Sequence, residues 1–523
     1  MNNLSALFRS FIIYAVCVVL AIWLGFLLTG PLTYSSMAVY GILAFILFFP
    51  VLLRWHFPLM LLFWNFAAMV FVLPGRPTLG LTMLFLSLGI SVLQRTFSPE
   101  YHFIRVPQIT FPSLYIIAVV VVTAKISGFG LRVFQGESFG GSKYIYLVGG
   151  ILGYFALSTS RIPPGRRNLY LALYFLGGVT AVVGDLINFL PHSFYYIYWF
   201  FNNYGLQQQA GVDEHVTRLN GTMIASLAIF SFMLARYGLR GIFLSRKPFR
   251  WIVLALVMAF GLLGGYRGAA MIFALVLVIQ FFLEGLHRTK LLAIFLSIGF
   301  VVALALIPLA SHLPLGIQRS LSFLPYKVSL QARLDAQGTL DWRLNMWTAL
   351  LPQIPHYLLL GKGYNINPLD YKFVMGPDAA IHSAFAQNDP LALAEVYHNG
   401  PISVLIPFGI WGAIGFLWLV IAALRVLYLN YRYADPDLKT INSLLLAAFA
   451  AHVIMFLFIG GDFSSEMMSF CGVLGLGVSF NGGVRRPVRV ARPARETEKA
   501  RGLVRRPPSP APAFQRRQPG TIR

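Results

Sequence analysis

The sequence predicts an all-α polytopic membrane protein with about 14 transmembrane helices, both termini cytoplasmic, and a large periplasmic loop before the twelfth helix. Three observations carry this. Of 523 residues, 57% are hydrophobic and only 11% charged, against roughly 25% charged in a soluble domain. The segments 11–29, 36–53, 251–266, 269–283, 291–310, 400–424 and 441–460 contain no formal charge, and runs of about 20 apolar residues cross a ~30 Å hydrocarbon layer. Lys and Arg collect in the short loops on one side and in the tail, which is a topology signal. A backbone in lipid must satisfy its own hydrogen bonds, so these runs are helices. The period-two alternation of a membrane barrel is absent.

Taken in order, the predicted helices are 11–29, 36–53, 57–74, 78–94, 111–128, 144–160, 168–189, 220–235, 251–266, 269–284, 291–310, 400–424, 441–460 and 466–480. The first run ends Gly-Pro-Leu-Thr without a small-residue cleavage site, and is expected to be a retained helix rather than a removed signal peptide. Inner loops carry RWH at 54–56, RIPPGRR at 161–167, RYGLRGIFLSRKPFR at 236–250, HRTK at 287–290 and the stretch from Arg425 to Lys439. With 481–523 inside, 17 Lys or Arg lie on the inner side before residue 481. The outer side has 11, six of them in one long loop, which leaves 5 for comparison, because long loops translocate largely regardless of charge.

The chain divides into a transmembrane domain at 1–480, with outer loops 190–219 and 311–399, and a tail at 481–523. Loop 190–219 is dense in Tyr, Trp and Phe, which suits a membrane interface. Loop 311–399 is too long for a plain connector. Within it DWRLNMWTALLPQI at 341–354 has the pattern of an amphipathic helix on the membrane, with Asp341 as its cap. The tail is rich in Arg and Pro and reads as disordered; it holds 12 of the 41 Lys and Arg. The net charge of +23 therefore indicates topology and contact with membrane lipids rather than nucleic acid. Two cysteines, Cys17 and Cys471, allow neither a disulfide framework nor a thiolate metal cluster. No phosphate loop ending in GK[ST], no HExxH and no aspartate-rich metal motif occurs. No metal or other cofactor is expected, and an enzyme built here would use cationic side chains instead.

Several side chains stand out. His398 and Asn399 lie where loop 311–399 meets the next helix, nine residues before Gly409, with Gly412 three further on. A histidine there is a candidate general base; its plainer reading is an interfacial hydrogen bond. The two glycines are spaced to face a neighbouring helix. Arg218 opens RLNGT, Arg267 interrupts an apolar stretch in GGYRGAA, and Arg343 shares a helical face with Met346, Trp347 and Leu350. Arginine near bilayer depth is costly and suggests function, and its planar fork suits phosphate oxygens. The plainer reading of each is snorkelling or an ion pair; three on one side favour an anion site. Lys125 and Asp185 form a candidate ion pair within the apolar segments, and Asp462 and Glu466 read as structural groups in the last outer turn.

HN, nine residues, then GxxG, at the exit of a long outer loop, resembles the signature of the O-antigen ligase and polysaccharide polymerase superfamily. RLNGT at 218–222, YRGAA at 266–270 (with Tyr266 where Ser is usual) and RLNMWTALLPQIPHYLLLGKGYN at 343–365 are similar to its other elements, in order, over about residues 210–425. The resemblance implies a bacterial inner-membrane glycosyltransferase that takes a glycan from a polyprenyl pyrophosphate carrier at the periplasmic face. The glycan passes to an acceptor glycan or lipid-linked acceptor without a metal, as polymerase or ligase. Arg218, Arg267, Arg343 and His398 would be the catalytic and substrate-binding residues, with Asn399 also contacting substrate and Gly409 and Gly412 as framework. A flippase or exporter of a lipid-linked precursor is the alternative; it would more often show inverted repeats and midplane sites.

The charge count predicts that residue 337 is periplasmic and residue 509 cytoplasmic. Single cysteines at Gln337 and Ser509, each in a Cys17→Ser background, should differ towards an impermeant thiol reagent on intact cells. Labelling at Ser509 but not at Gln337 would invert the topology.

Overall fold

The computed structural model describes residues 33–98, 100, 102–130, 140–201, 219–365 and 397–487, with scattered positions between 15 and 29. Residues 11–14, 16, 20, 24, 27 and 28 of the helix expected at 11–29, all of the tail after residue 487, and Arg218 lie outside the described residues. The described part is helical. Its α-helices are α1 (Tyr34–Phe63), α2 (Leu79–Phe97), α3 (Pro107–Ser127), α4 (Ser142–Leu157), α5 (Arg167–Leu176), α6 (Val182–Leu186), α7 (Asn220–Phe243), α8 (Phe249–Leu262), α9 (Arg267–Leu283), α10 (Leu291–Leu309), α11 (Leu315–Ser320), α12 (Leu330–Leu350), α13 (Ile354–Tyr357), α14 (Gly400–Tyr433), α15 (Lys439–Phe458) and α16 (Phe463–Asn481). Among the described residues nine helical segments are long and apolar enough to cross a membrane, and α4, α8 and α9 are shorter apolar helices. The protein is a multi-pass membrane protein.

The bundle is centred on α16. Its most apolar stretch is 78% buried, against 6% for those of α1 and α10, whose side chains face outward towards lipid. Glycines let neighbours approach α16 closely: an added Cβ at Gly150 of α4 would lie 2.8 Å from the Met468 backbone nitrogen, and one at Gly475 2.8 Å from Leu157. At the end away from Asn399, amides join three helices. Asn442 Nδ2 donates to Asn430 O (3.1 Å) and Asn481 Oδ1 (3.0 Å), and Asn481 Nδ2 returns a bond to Asn442 Oδ1 (2.8 Å). All three asparagines are buried, so each amide needs these partners.

Four expectations are corrected. The segments 36–53 and 57–74 are not two helices about an RWH loop. They merge into α1, kinked at Trp55 (φ −117°, ψ 15°), and the chain is irregular after Phe63. His56 stays buried because α2 supplies polar partners, Ser87 Oγ at 2.9 Å and Gln94 Oε1 at 3.2 Å. The helix expected at 168–189 is broken into α5, a 3-10 turn, α6 and a second 3-10 turn; at Gly177 an added Cβ would meet Leu62 O at 2.4 Å. Asp185 does not partner Lys125, which is exposed. Its carboxylate accepts from Gly221 N (3.1 Å), Thr222 N (2.6 Å) and Thr222 Oγ1 (2.8 Å), capping the N-terminus of α7. The helix containing Arg343 begins at Leu330 and is capped by Ser329, whose side chain accepts from Ala332 N at 3.3 Å, while Asp341 is exposed within it. The expected stripe is real, but it meets protein: Met346 and Leu350 are buried against Tyr397, Ile402 and Ile406.

The positions of Gly409 and Gly412 also have a different cause. α14 is broken at Gly409 (φ 60°, ψ −157°), just after Pro407. The segment following α13 lies in this break. Ile410 N donates to Leu358 O (2.7 Å), Lys362 N to Ile406 O (2.8 Å) and Gly363 N to Pro407 O (2.9 Å). Gly409 thus serves a left-handed backbone and faces a carbonyl rather than a helix, an added Cβ lying 2.4 Å from Leu358 O. A Cβ at Gly412 would meet Phe408 of the same helix at 2.4 Å.

Gly409→Ala should therefore cost on the order of 1–3 kcal/mol from backbone strain alone, with the collision added. The melting temperature of the purified protein should fall by several degrees, while Gly299→Ala in α10, where a Cβ meets nothing within 4 Å, should leave it unchanged. Equal melting temperatures for both variants would remove the role of the break.

Candidate functional site

The site is built where α12 meets the start of α14. Trp347 Nε1 donates to Tyr397 O at 2.8 Å. Asn399 caps α14, its Oδ1 accepting from Ile402 N at 3.1 Å. Gly400 follows because an added Cβ would fall 2.1 Å from Phe456 O. Held between these fixed points, His398 takes a left-handed backbone (φ 47°), uncommon outside glycine and a form of strain that clusters at functional sites. Its ring stands edge-on to Trp342, centroids 5.4 Å apart and planes at 70°. Gly460, in the turn between α15 and α16, admits this segment; an added Cβ would sit 2.9 Å from His398 O and 3.9 Å from Arg343 Nη1.

Arg343 and Arg267 are brought together, as expected, and a third arginine joins them. Arg319 of α11 is buried and ion-pairs with Asp335; its guanidinium also donates to Gly265 O and to Thr339 Oγ1 (3.1 Å). It thereby ties α12 to the turn that precedes Arg267. Arg267 Nη2 donates to Ala336 O at 3.1 Å. Arg343 Nε is buried without a hydrogen-bond partner among the described residues. Burial first, then the positive charges of Arg267 and Arg319, push the Arg343 guanidinium below its ordinary value. Arg343 thus stands within reach of two further guanidinium groups, and Asp335 pairs with Arg319 and also acts on Arg267, so the positive charge that an anion would relieve is greatest at Arg343.

On the other side of His398 are Asp462 and Lys143, 3.7 Å apart. Lys143 also stands over the Tyr364 ring, 5.3 Å from its centroid. Asp462 caps α16, accepting from Ser465 N at 3.2 Å. Burial lowers the His398 pKa from 6.5; Arg343 lowers it further, Asp462 opposes this, and Lys143 adds a smaller lowering. The imidazole is thus neutral at pH 7, the form that accepts a proton.

The sequence reading missed Arg319, Asp335 and Lys143. Arg319 and Asp335 lie in a polar stretch where charges are ordinary, and Lys143 reads as one more loop cation; only their meeting in space singles them out. A signal existed for Asp462, which stands beside two glycines in GGDFSSE, the pattern of a tight turn opening a helix.

Residues 252–417 match a family model described as O-antigen ligase. That stretch of the chain is similar to the O-antigen ligase family. The match runs from α8 into α14 and contains Arg267, Arg319, Arg343, His398 and Asn399. Lys143 and Asp462, which flank His398 in the structure, lie outside it, one on each side in sequence. No match is found among the curated proteins. This similarity, with the apolar helices, supports a membrane protein of polysaccharide biosynthesis of glycosyltransferase-like kind.

The charge arrangement predicts opposite shifts at His398. Diethyl pyrocarbonate modifies neutral imidazole, so its rate at the His398 peptide, followed by mass spectrometry, should fall as pH drops through a midpoint below 6.5. Asp462→Asn removes a charge that raises the pKa, so the midpoint should move lower still. Lys143→Met removes one that lowers it, so the midpoint should move up. Movement of both in the same direction would contradict the geometry.

Proposed function

We propose that the protein transfers a glycan from a polyprenyl pyrophosphate carrier to an acceptor hydroxyl at the periplasmic face of the bacterial inner membrane, as polymerase or ligase. The observation that carries this reading is the convergence of Arg267, Arg343 and His398 at one end of the bundle, where the unpartnered Arg343 Nε faces repulsion from two further arginines. A pyrophosphate answers both features, offering acceptors to the guanidinium forks and negative charge to offset their repulsion. Arg218, one residue before Leu219 at the N-terminus of α7, would add to the same grip. Arg319, engaged by Asp335, acts as scaffold.

In the reaction the acceptor oxygen bonds to the anomeric carbon as the bond from that carbon to the phosphate oxygen breaks. The departing electron pair becomes negative charge on the pyrophosphate, which preorganised guanidinium groups stabilise. The acceptor's proton passes to the neutral imidazole of His398. Asn399, whose carbonyl is used in the cap, has its Nδ2 to orient the acceptor. A flippase would hold its cargo near the bilayer midplane; the clustering beside the first turns of α9 and α14 favours an enzyme.

His398→Ala should reduce transfer from purified polyprenyl-linked donor by about 10²- to 10⁴-fold, with donor binding retained. His398→Gln separates base catalysis from positioning, since Gln hydrogen-bonds but takes no proton at neutral pH. Arg343→Lys should lower donor affinity through loss of the planar fork. Wild-type transfer in His398→Ala together with Arg343→Ala would refute the reading.

A further inference from the structure

Beside the cationic cluster the bundle holds a cavity of about 260 Å³ that the transfer reading leaves unused. Its wall is mostly apolar and comes from α7, α9 and α15, with Tyr266, Phe273 and Met455 prominent. It borders the site twice. Tyr266 and Gly268 line it and flank Arg267 in sequence; Gly460 lines it and is also the point where His398 O and Arg343 Nη1 approach.

Two polar side chains open into this space, His452 of α15 and Glu466 of α16. His452 Nδ1 lies 2.8 Å from Ala448 O. A carbonyl only accepts, so Nδ1 donates to it, and Nε2 is the ring nitrogen left for a ligand. The Glu466 carboxylate makes no hydrogen bond to another described residue. The cavity therefore offers two hydrogen-bonding side chains against an apolar and aromatic wall. Among the described residues neither a guanidinium nor an ammonium group lines it to grip a pyrophosphate. An isoprenoid chain would leave both polar groups desolvated and unpaired, at a cost of several kcal/mol. A sugar ring meets each demand: its hydroxyls donate and accept, its C–H faces lie against aromatic rings, and its size suits a cavity just below the ~300–1,000 Å³ of drug-sized ligands.

We propose that this cavity is the acceptor subsite, receiving one monosaccharide ring of the acceptor glycan, with Glu466 and His452 hydrogen-bonded to its hydroxyls and the attacking hydroxyl directed past Gly460 towards His398. The assignment deepens, and rests on, the transfer reading above. Glu466 and His452 are positioning residues: they hold the acceptor and do not touch the bond that breaks.

The test has a binding arm that needs no turnover. In the full-length protein with Cys17→Ser, a cysteine at Leu227, which lines the cavity, is exposed to a small maleimide in the presence of methyl glucoside, methyl galactoside, methyl mannoside or farnesol. Protection by at least one glycoside and none by farnesol is expected. Protection by farnesol alone, or by no probe, overturns the subsite. The best-protecting glycoside then serves as acceptor in the transfer assay. Glu466→Ala should raise its KM roughly 10- to 100-fold, Glu466→Gln should fall between Ala and wild type, and donor binding should be unchanged. An unchanged KM in Glu466→Ala, or an equal loss of donor binding, overturns the assignment. Glycoside protection in a wild-type protein that transfers nothing would support the sugar subsite and remove the transfer reading, so the two failures are distinguishable.

Discussion

The break in α14 at Pro407–Gly409 is the constraint on which the site depends. A helix interrupted inside an apolar bundle exposes backbone groups that lipid cannot satisfy. Here the chain after α13 satisfies them, with amides and carbonyls exchanged between Leu358–Gly363 and Ile406–Ile410. That exchange anchors the end of α12–α13 to α14. The other anchor is the bond from Trp347 to Tyr397 O. Between the two anchors α12 has one way to lie, and that way puts Arg343 beside His398. Glycine is needed at 361 and 409 because both backbones are left-handed and each faces the other segment's carbonyls too closely for a side chain.

The electrostatics of the site run against stability. Arg267 and Arg319 both repel Arg343, and a strained histidine backbone lies beside it. Such a cluster persists only when the surroundings over-determine it. The surroundings do so here through Arg319, which binds Asp335, Thr339 and the Gly265 carbonyl together, and through the Asp185 cap on α7. At the far end, the amide network of Asn430, Asn442 and Asn481 locks α14, α15 and α16 without any charge. Rigidity is thus supplied by the helix ends opposite the site, while the site end holds the unbalanced charge that binding would use.

Function in this chain is a matter of helix ends. The helices α4, α7, α9 and α14 each begin near the site, and at or after their other ends lie stretches rich in Lys and Arg, at 161–167, 236–250, 287–290 and 425–439. One segregation of charge thus serves two purposes. Cations on one side are the expected topology signal, while Arg267, Arg319 and Arg343 cluster at the other end. The aromatic chain after Leu190 packs over the irregular stretch following α1, with Phe200 O accepting from Met69 N at 2.6 Å, and finishes that end without adding charge.

The sequence by itself determined the membrane class and most helix positions, and it singled out Arg267, Arg343 and His398 as candidates, because hydrophobic runs, rare intramembrane charges and a spaced motif are local properties. It also placed Arg343 on the stripe with Met346 and Leu350, since helical spacing is periodic. Only the tertiary structure decided what that stripe faces, because periodicity marks an apolar face without saying whether lipid or protein covers it. The same limit hid the union of 36–53 with the start of 57–74: His56 reads as a loop residue until Ser87 and Gln94 of α2 are beside it. Gly409 read as a packing glycine because a missing side chain gives no hint whether it makes room for a helix or for a left-handed turn. Arg319, Asp335 and Lys143 were invisible for the most general reason. An ion pair or an anion site is a relation between residues far apart in the chain, and its strength depends on burial and neighbouring charge, which exist only once the helices have packed.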